Sequence, residues 1–123
     1  MTNEITEELA SVYDGKTVIP QLIKDQQVAS KAEPLTKDEA AQLRAMMRGV
    51  VTEGSGRVLG GLGGGPVIAK TGTAEYGSSA PYKTHAWMIA AQDDLAVAVF
   101  VNDGQSGSRT AGPILRTFLE GAF

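Results

Sequence analysis

Lys70-Thr71-Gly72-Thr73 places an amine, two hydroxyls and a glycine in four consecutive positions, directly after the apolar run 66–69. Because successive side chains of a strand point to opposite faces, Lys70 and Gly72 share one face and Thr71 and Thr73 share the other. Gly72 lets another backbone or a ligand approach closely. Such a strip of donors suits a carboxylate or a developing oxyanion. The alternative is an edge strand with a solvated lysine and ordinary β-forming threonines.

The stretch opens a series of three predicted strands, over about 66–75, 84–91 and 95–102, with turn signals between them. Short connections between neighbouring strands imply antiparallel pairing. The third strand is apolar on both of its faces, so both sides of the sheet need a cover, and helices are the available material. The predicted fold class is therefore α+β.

Helices are predicted over about 3–13, 36–52 and 108–120 from apolar residues at helical spacing. The second carries the clearest signal, because Thr36 and Glu39 fit a capping box at its start. Its apolar stripe consists of Ala40, Leu43, Met47 and Val50.

Seven glycines occur among residues 54–65, between the second helix and the first strand. This glycine-rich loop is either a linker or a mobile loop that carries the following strand to the edge of a cleft. A phosphate-binding loop is excluded on two grounds. Ala69 stands where that motif needs glycine, and polar turn residues rather than a helix follow Gly72.

Composition narrows the function classes. The 123 residues form one domain or a piece of one, and a net charge of −3 without a basic cluster argues against nucleic acid as the main partner. Cysteine is absent and His85 is the single histidine, so we predict no metal site, and no cofactor is indicated. A histidine in such a strand is more often packed and hydrogen-bonded than catalytic. The sequence has no stretch long and apolar enough for a membrane span and no signal-peptide pattern.

The lysine stretch, extended to Lys70-Thr71-Gly72-Thr73-Ala74-Glu75, closely resembles the third motif of penicillin-binding transpeptidases. Its surroundings resemble the same family in order and spacing over nearly all of residues 18–121, most closely in the monofunctional, high-molecular-weight branch. The matching stretches are Gly49 to Gly56, His85-Ala86-Trp87-Met88, Leu95 to Asp103 and Thr110 to Leu115.

The resemblance implies the serine β-lactamase and transpeptidase superfamily fold, a sheet with helices on both faces, and a D,D-transpeptidase that cross-links peptidoglycan. It implies that Lys70 borders the proton network of the nucleophile, and that the hydroxyls of Thr71 and Thr73 bind the carboxylate of the stem peptide or of a β-lactam. Gly72 belongs to the same substrate-binding stretch, and the backbone N–H of Thr73 is one half of the oxyanion hole. The implied location is extracytoplasmic, on a parent protein anchored to the bacterial plasma membrane by a segment outside this chain.

The departures from the family pattern concern the nucleophile. None of the seven serines has a lysine three residues later, and the Ser-x-Asn motif is also missing. The other half of the oxyanion hole, which comes from the amide of the nucleophile, is missing with it.

Two hypotheses follow. In the first, residues 1–123 are the C-terminal portion of a single transpeptidase domain and are inactive alone. In the second, the chain is a stand-alone, non-catalytic binding module derived from the same fold. In the first case we expect self-association through the apolar region 84–101 or through the edge strand.

Overall fold

The structure is a computed structural model that describes residues 12, 19, 23–24 and 33–122. Its elements are helix α1 (Lys37–Thr52), a 3₁₀ turn (Arg57–Leu59), strands β1 (Ile68–Tyr76), β2 (Lys83–Gln92) and β3 (Leu95–Val101), a π-helical segment (Gly107–Ala111) and helix α2 (Gly112–Ala122). The predicted α+β class, the three strands and the second and third helices are confirmed. The predicted helix over 3–13 lies outside the described residues apart from Val12.

Helix α1 begins directly after Thr36, the predicted first residue of its capping box. The Thr36 hydroxyl accepts a hydrogen bond from the Glu39 backbone N–H at 3.3 Å, and a carboxylate oxygen of Glu39 accepts one from the Thr36 backbone N–H at 2.9 Å. Two N–H groups at the helix start are thereby satisfied. The backbone N–H of Thr36, and secondly its hydroxyl, hold the pKa of the Glu39 carboxyl below its ordinary value. The helix ends at Thr52, followed by Glu53, whose N–H donates to the Gly49 carbonyl at 2.9 Å.

The three strands form one antiparallel sheet in the order β1-β2-β3. Thr71 lies opposite Met88 and Gly72 opposite Trp87, while Ala90 of β2 lies opposite Val97 of β3. In the part of the chain that the structure describes, β1 and β3 each have a single partner strand, so β1 is an edge strand.

The core has two parts, one on each face of the sheet. On the first face, sheet residues such as Ala69, Met88 and Ala90 pack with Leu115 and Leu119 of α2, and all five are essentially inaccessible to solvent. The full first cluster also includes Val51, Leu59, Val67 and Ala111. Because β2 is alanine-rich on this face, the larger side chains of α2 fill the space between helix and sheet.

On the second face the core is smaller. Ile68 and Ala91 pack with Val12, and Leu43 and Met47 of α1 lie against them. Within the described residues, the cover that we expect on both faces of β3 is present only in part. Leu95, Val97 and Val99 of β3 pack on the first cluster, whereas on the other face Ala96 alone among the described residues of β3 packs on the second cluster, and Phe100 is 43% exposed.

The glycine-rich loop is held by contacts with other parts of the protein. It contains the 3₁₀ turn, and Leu59 from that turn is 1% exposed within the first cluster. The side-chain amide of Gln92 donates to the carbonyls of Gly63 and Gly65, and the Gly65 N–H donates to the carboxylate of Asp93 at 3.1 Å. Side chains at the β2–β3 turn therefore anchor the loop that leads into β1.

Candidate functional site

The lysine stretch lies in the middle of the edge strand β1, and the strand alternation follows the prediction. Ala69 belongs to the first core cluster, so Thr71 and Thr73, two and four residues later, face the same side. Lys70 and Gly72 face the other side. Lys70 and Thr73 are exposed, whereas Thr71 and Gly72 are half-buried.

The Thr71 hydroxyl contacts a side chain from the turn that follows α1. Its Oγ1 lies 2.6 Å from Oγ of Ser55, a hydrogen bond in which either hydroxyl can be the donor. Ser55 lies in the turn between α1 and the 3₁₀ turn, so the packing of α1 on β1 brings the two hydroxyls together.

The Thr73 hydroxyl has a different kind of partner. The backbone N–H of Gly107, the first residue of the π-helical segment, donates to Oγ1 of Thr73 at 3.3 Å. Gly107 is fully packed here. A Cβ at this position would contact the Trp87 carbonyl oxygen and lie 2.9 Å from the carbonyl oxygen of Gly72. Only glycine lets this segment approach the backbones of both strands so closely.

Gly72 is therefore approached from both sides by the chain itself. The Gly107 backbone lies against it on one side, and on the other side a Cβ at position 72 would lie 3.3 Å from Cβ of Trp87. The predicted close approach at Gly72 is present, and its occupants are parts of this protein. The amine of Lys70 donates to the Thr71 carbonyl at 2.9 Å and remains exposed to solvent.

An aromatic cluster occupies the second face of the sheet beyond Gly72. The rings of Tyr76 and His85 stack with centroids 3.9 Å apart, and Phe100 lies 5.2 Å from His85 and 4.4 Å from Trp87. Nδ1 of His85 donates to the Asn102 carbonyl at 2.8 Å. His85 is therefore packed and hydrogen-bonded, as the sequence predicted.

Other features of the described chain do not add to this site. A depression of about 620 Å³ lies at the loop after β3, and no residue of the lysine stretch lines it. Its lining consists of Asp103, Gly104, Gln105, Arg109, Thr110 and Pro113. Among the residues that the structure describes, no group of three or more His, Asp or Glu side chains could hold a metal ion. No helix in the same residues is long and apolar enough to cross a membrane.

A family model described as the penicillin-binding protein transpeptidase domain matches residues 4–120. The chain belongs to the penicillin-binding transpeptidase family. A solved structure similar to this chain is the D,D-transpeptidase domain of a peptidoglycan glycosyltransferase from Eggerthella lenta, with 27% sequence identity and a TM-score of 0.54. That match covers 76% of this chain, and the chain spans 24% of the length of the solved one. A search of curated protein sequences found no match.

Two contacts of the lysine stretch were not predicted, those of Ser55 and Gly107. The glycine pair Gly54 and Gly56 around Ser55 marks a tight turn, and this is the one sequence signal that points towards the contact with Thr71.

Proposed function

We propose that this chain is the C-terminal portion of a peptidoglycan D,D-transpeptidase domain, in which β1 binds the terminal carboxylate of the stem peptide or of a β-lactam. The observation that carries the proposal is the position of Lys70, Thr71 and Thr73 on an edge strand of a penicillin-binding transpeptidase fold. An edge strand leaves backbone N–H and C=O groups without a strand partner, so an extended peptide can lie along it.

The proposed roles follow the chemistry of each group. The exposed ammonium of Lys70 borders the proton network of the nucleophile, and the hydroxyls of Thr71 and Thr73 donate to the substrate carboxylate. The backbone N–H of Thr73 is one half of the oxyanion hole. Donors of that kind act on charge that develops in the transition state, and losing one costs about 3–4 kcal/mol.

The nucleophile belongs, in this proposal, to a longer protein of which the chain is a part. The 123 residues contain no Ser-x-x-Lys and no Ser-x-Asn, and both motifs would precede residue 1. The longer protein would act outside the cytoplasm and be held at the membrane by a segment that also lies outside this chain.

The first test uses the chain itself. Incubation with a fluorescent penicillin is expected to give no covalent adduct, because no acylable serine is in place. Intact-mass spectrometry measures this directly. A stoichiometric adduct on the 123-residue chain would refute the proposal that the nucleophile lies outside it.

The second test uses the protein encoded by the complete reading frame. Replacing Lys70 with alanine is expected to slow acylation by penicillin by about 10²-fold or more, the usual size of a lost proton-transfer group. Lys83→Ala is the matched control, because Lys83 is an exposed lysine of the same sheet, paired with Asp103 at 3.3 Å. Equal acylation rates for the wild type and the Lys70 variant would show that Lys70 has no role in acylation. A frame that starts natively at Met1 would favour the stand-alone binding module instead.

A further inference from the structure

Ser55 contacts the carboxylate-binding stretch although it lies outside the lysine motif. We propose that Ser55 is a positioning residue, which fixes the side chain of Thr71 and turns its hydroxyl proton towards the substrate carboxylate. The substrate part of this inference rests on the proposed function, whereas the positioning of Thr71 can be tested without it.

The hydroxyls of Thr71 and Thr73 have hydrogen-bond partners of different kinds. A hydroxyl has one proton to donate and two lone pairs to accept with. At Thr73 the partner is the N–H of Gly107, which can only donate, so the proton of the Thr73 hydroxyl remains available for an anion. Thr73 is therefore already arranged as a donor.

Thr71 has a partner that can act either way. The distance of 2.6 Å from Ser55 Oγ is at the short end for a hydrogen bond between hydroxyls. If Thr71 is to donate to a carboxylate, Ser55 must donate to Thr71. Each threonine hydroxyl would then accept one hydrogen bond, from Ser55 at Thr71 and from the Gly107 N–H at Thr73. A hydrogen bond received by a hydroxyl also polarises it and strengthens the one that it donates.

The backbone on both sides of Ser55 is hydrogen-bonded to the end of α1. The N–H of Gly54 donates to the Gly49 carbonyl at 3.1 Å, and the N–H of Gly56 donates to the Val50 carbonyl at 2.9 Å. A Cβ at Gly54 or at Gly56 would lie 3.0 Å from atoms of Val50. The turn therefore wraps tightly around the end of α1, and Ser55 is presented to β1 from a fixed backbone. This is the condition for a residue that orients another one.

The first experiment measures the side chain of Thr71 in the 123-residue chain by NMR. Three-bond couplings to the Thr71 methyl carbon are expected to give a single χ1 rotamer in the wild type and in Ser55→Thr. They are expected to give averaged values in Ser55→Ala. Ser78→Ala, at an exposed serine of the β1–β2 loop, is the matched control and should leave the couplings unchanged. A single unchanged rotamer in Ser55→Ala would overturn the inference.

The second experiment measures acylation of the protein from the complete reading frame by benzylpenicillin and by its methyl ester, which lacks the anionic carboxylate. Ser55→Ala is expected to slow acylation by benzylpenicillin roughly tenfold, as for a weakened charge-assisted hydrogen bond, and to change the ester rate little. Ser55→Thr should restore the benzylpenicillin rate. Equal losses for the two compounds would indicate damage to the fold and overturn the inference. If the wild type reacts with neither compound, the proposed function fails, and the couplings alone decide whether Ser55 positions Thr71.

Discussion

Replacing Gly107 with alanine is expected to destabilise the protein by about 3 kcal/mol, the upper end of the usual cost of overpacking. The added Cβ would lie 2.9 Å from the carbonyl oxygen and 3.0 Å from the nitrogen of Gly72, and would contact the carbonyl oxygen of Trp87. All three are backbone atoms of the paired strands β1 and β2, so no change of rotamer relieves the contact. The π-helical segment has to move away from the sheet, which also lengthens the hydrogen bond to Thr73.

Urea unfolding provides the assay, because Trp87 is the single tryptophan and lies in the contact itself. With a slope of about 1.5 kcal/mol per molar urea, a loss of 3 kcal/mol lowers the midpoint by about 2 M. Tryptophan fluorescence and far-ultraviolet circular dichroism should give the same midpoint if unfolding is two-state.

Gly49→Ala is the matched control for this prediction. Gly49 lies in α1, and a Cβ there would meet no atom within 4 Å. Alanine should therefore stabilise the helix by about 0.5–1 kcal/mol. If Gly49→Ala behaves in this way while Gly107→Ala stays within about 1 kcal/mol of the wild type, the close approach of the segment to the sheet does not exist as described.

Two further predictions concern the start of α1 and the exposed apolar surface. Thr36→Ala should cost about 1 kcal/mol, with Thr36→Ser close to the wild type in thermal unfolding. Because the folded pKa of Glu39 is lowered, its contribution is complete above the ordinary value of 4.5 and is lost as the pH falls through the folded value. A pH dependence in this range that is as large in Thr36→Ala as in the wild type would contradict the capping box. Phe100 and Phe118 are 43% and 53% exposed, so the chain should self-associate, and Phe100→Ser should weaken the association in light scattering. A wild type that stays monomeric at high concentration would show that these side chains form no interface.

The secondary structure could be predicted because it depends on local patterns. Turn signals between β-forming segments predicted the strands, helical apolar spacing predicted α1, and the capping box predicted the start of α1 to the residue. The start of β1 is two residues later than predicted. The sequence also could not show that the last predicted helix begins as a π-helical segment over 107–111, since that geometry follows from contact with the sheet.

The faces of the lysine stretch could be predicted, but the partners of its hydroxyls could not. Alternation along a strand is a property of any extended chain, so Thr71 and Thr73 had to share a face. Their partners Ser55 and Gly107 are 16 and 34 residues away, respectively, and depend on how α1 and the π-helical segment pack on β1. The contacts that anchor the glycine-rich loop could not be predicted for the same reason, because they are made by Gln92 on strand β2.

The two partners differ in how they link stability to the orientation of the hydroxyls. Gly107 is buried and lies against the backbones of both strands, so a change there disturbs the fold and the Thr73 hydroxyl together. Ser55 is exposed, and the hydrogen bond that it shares with Thr71 competes with water, so its net contribution to stability is about 1 kcal/mol or less. Substitutions at Ser55 should therefore change the orientation of Thr71 with little loss of stability. They are the better means of separating the role of the hydroxyls from that of the fold.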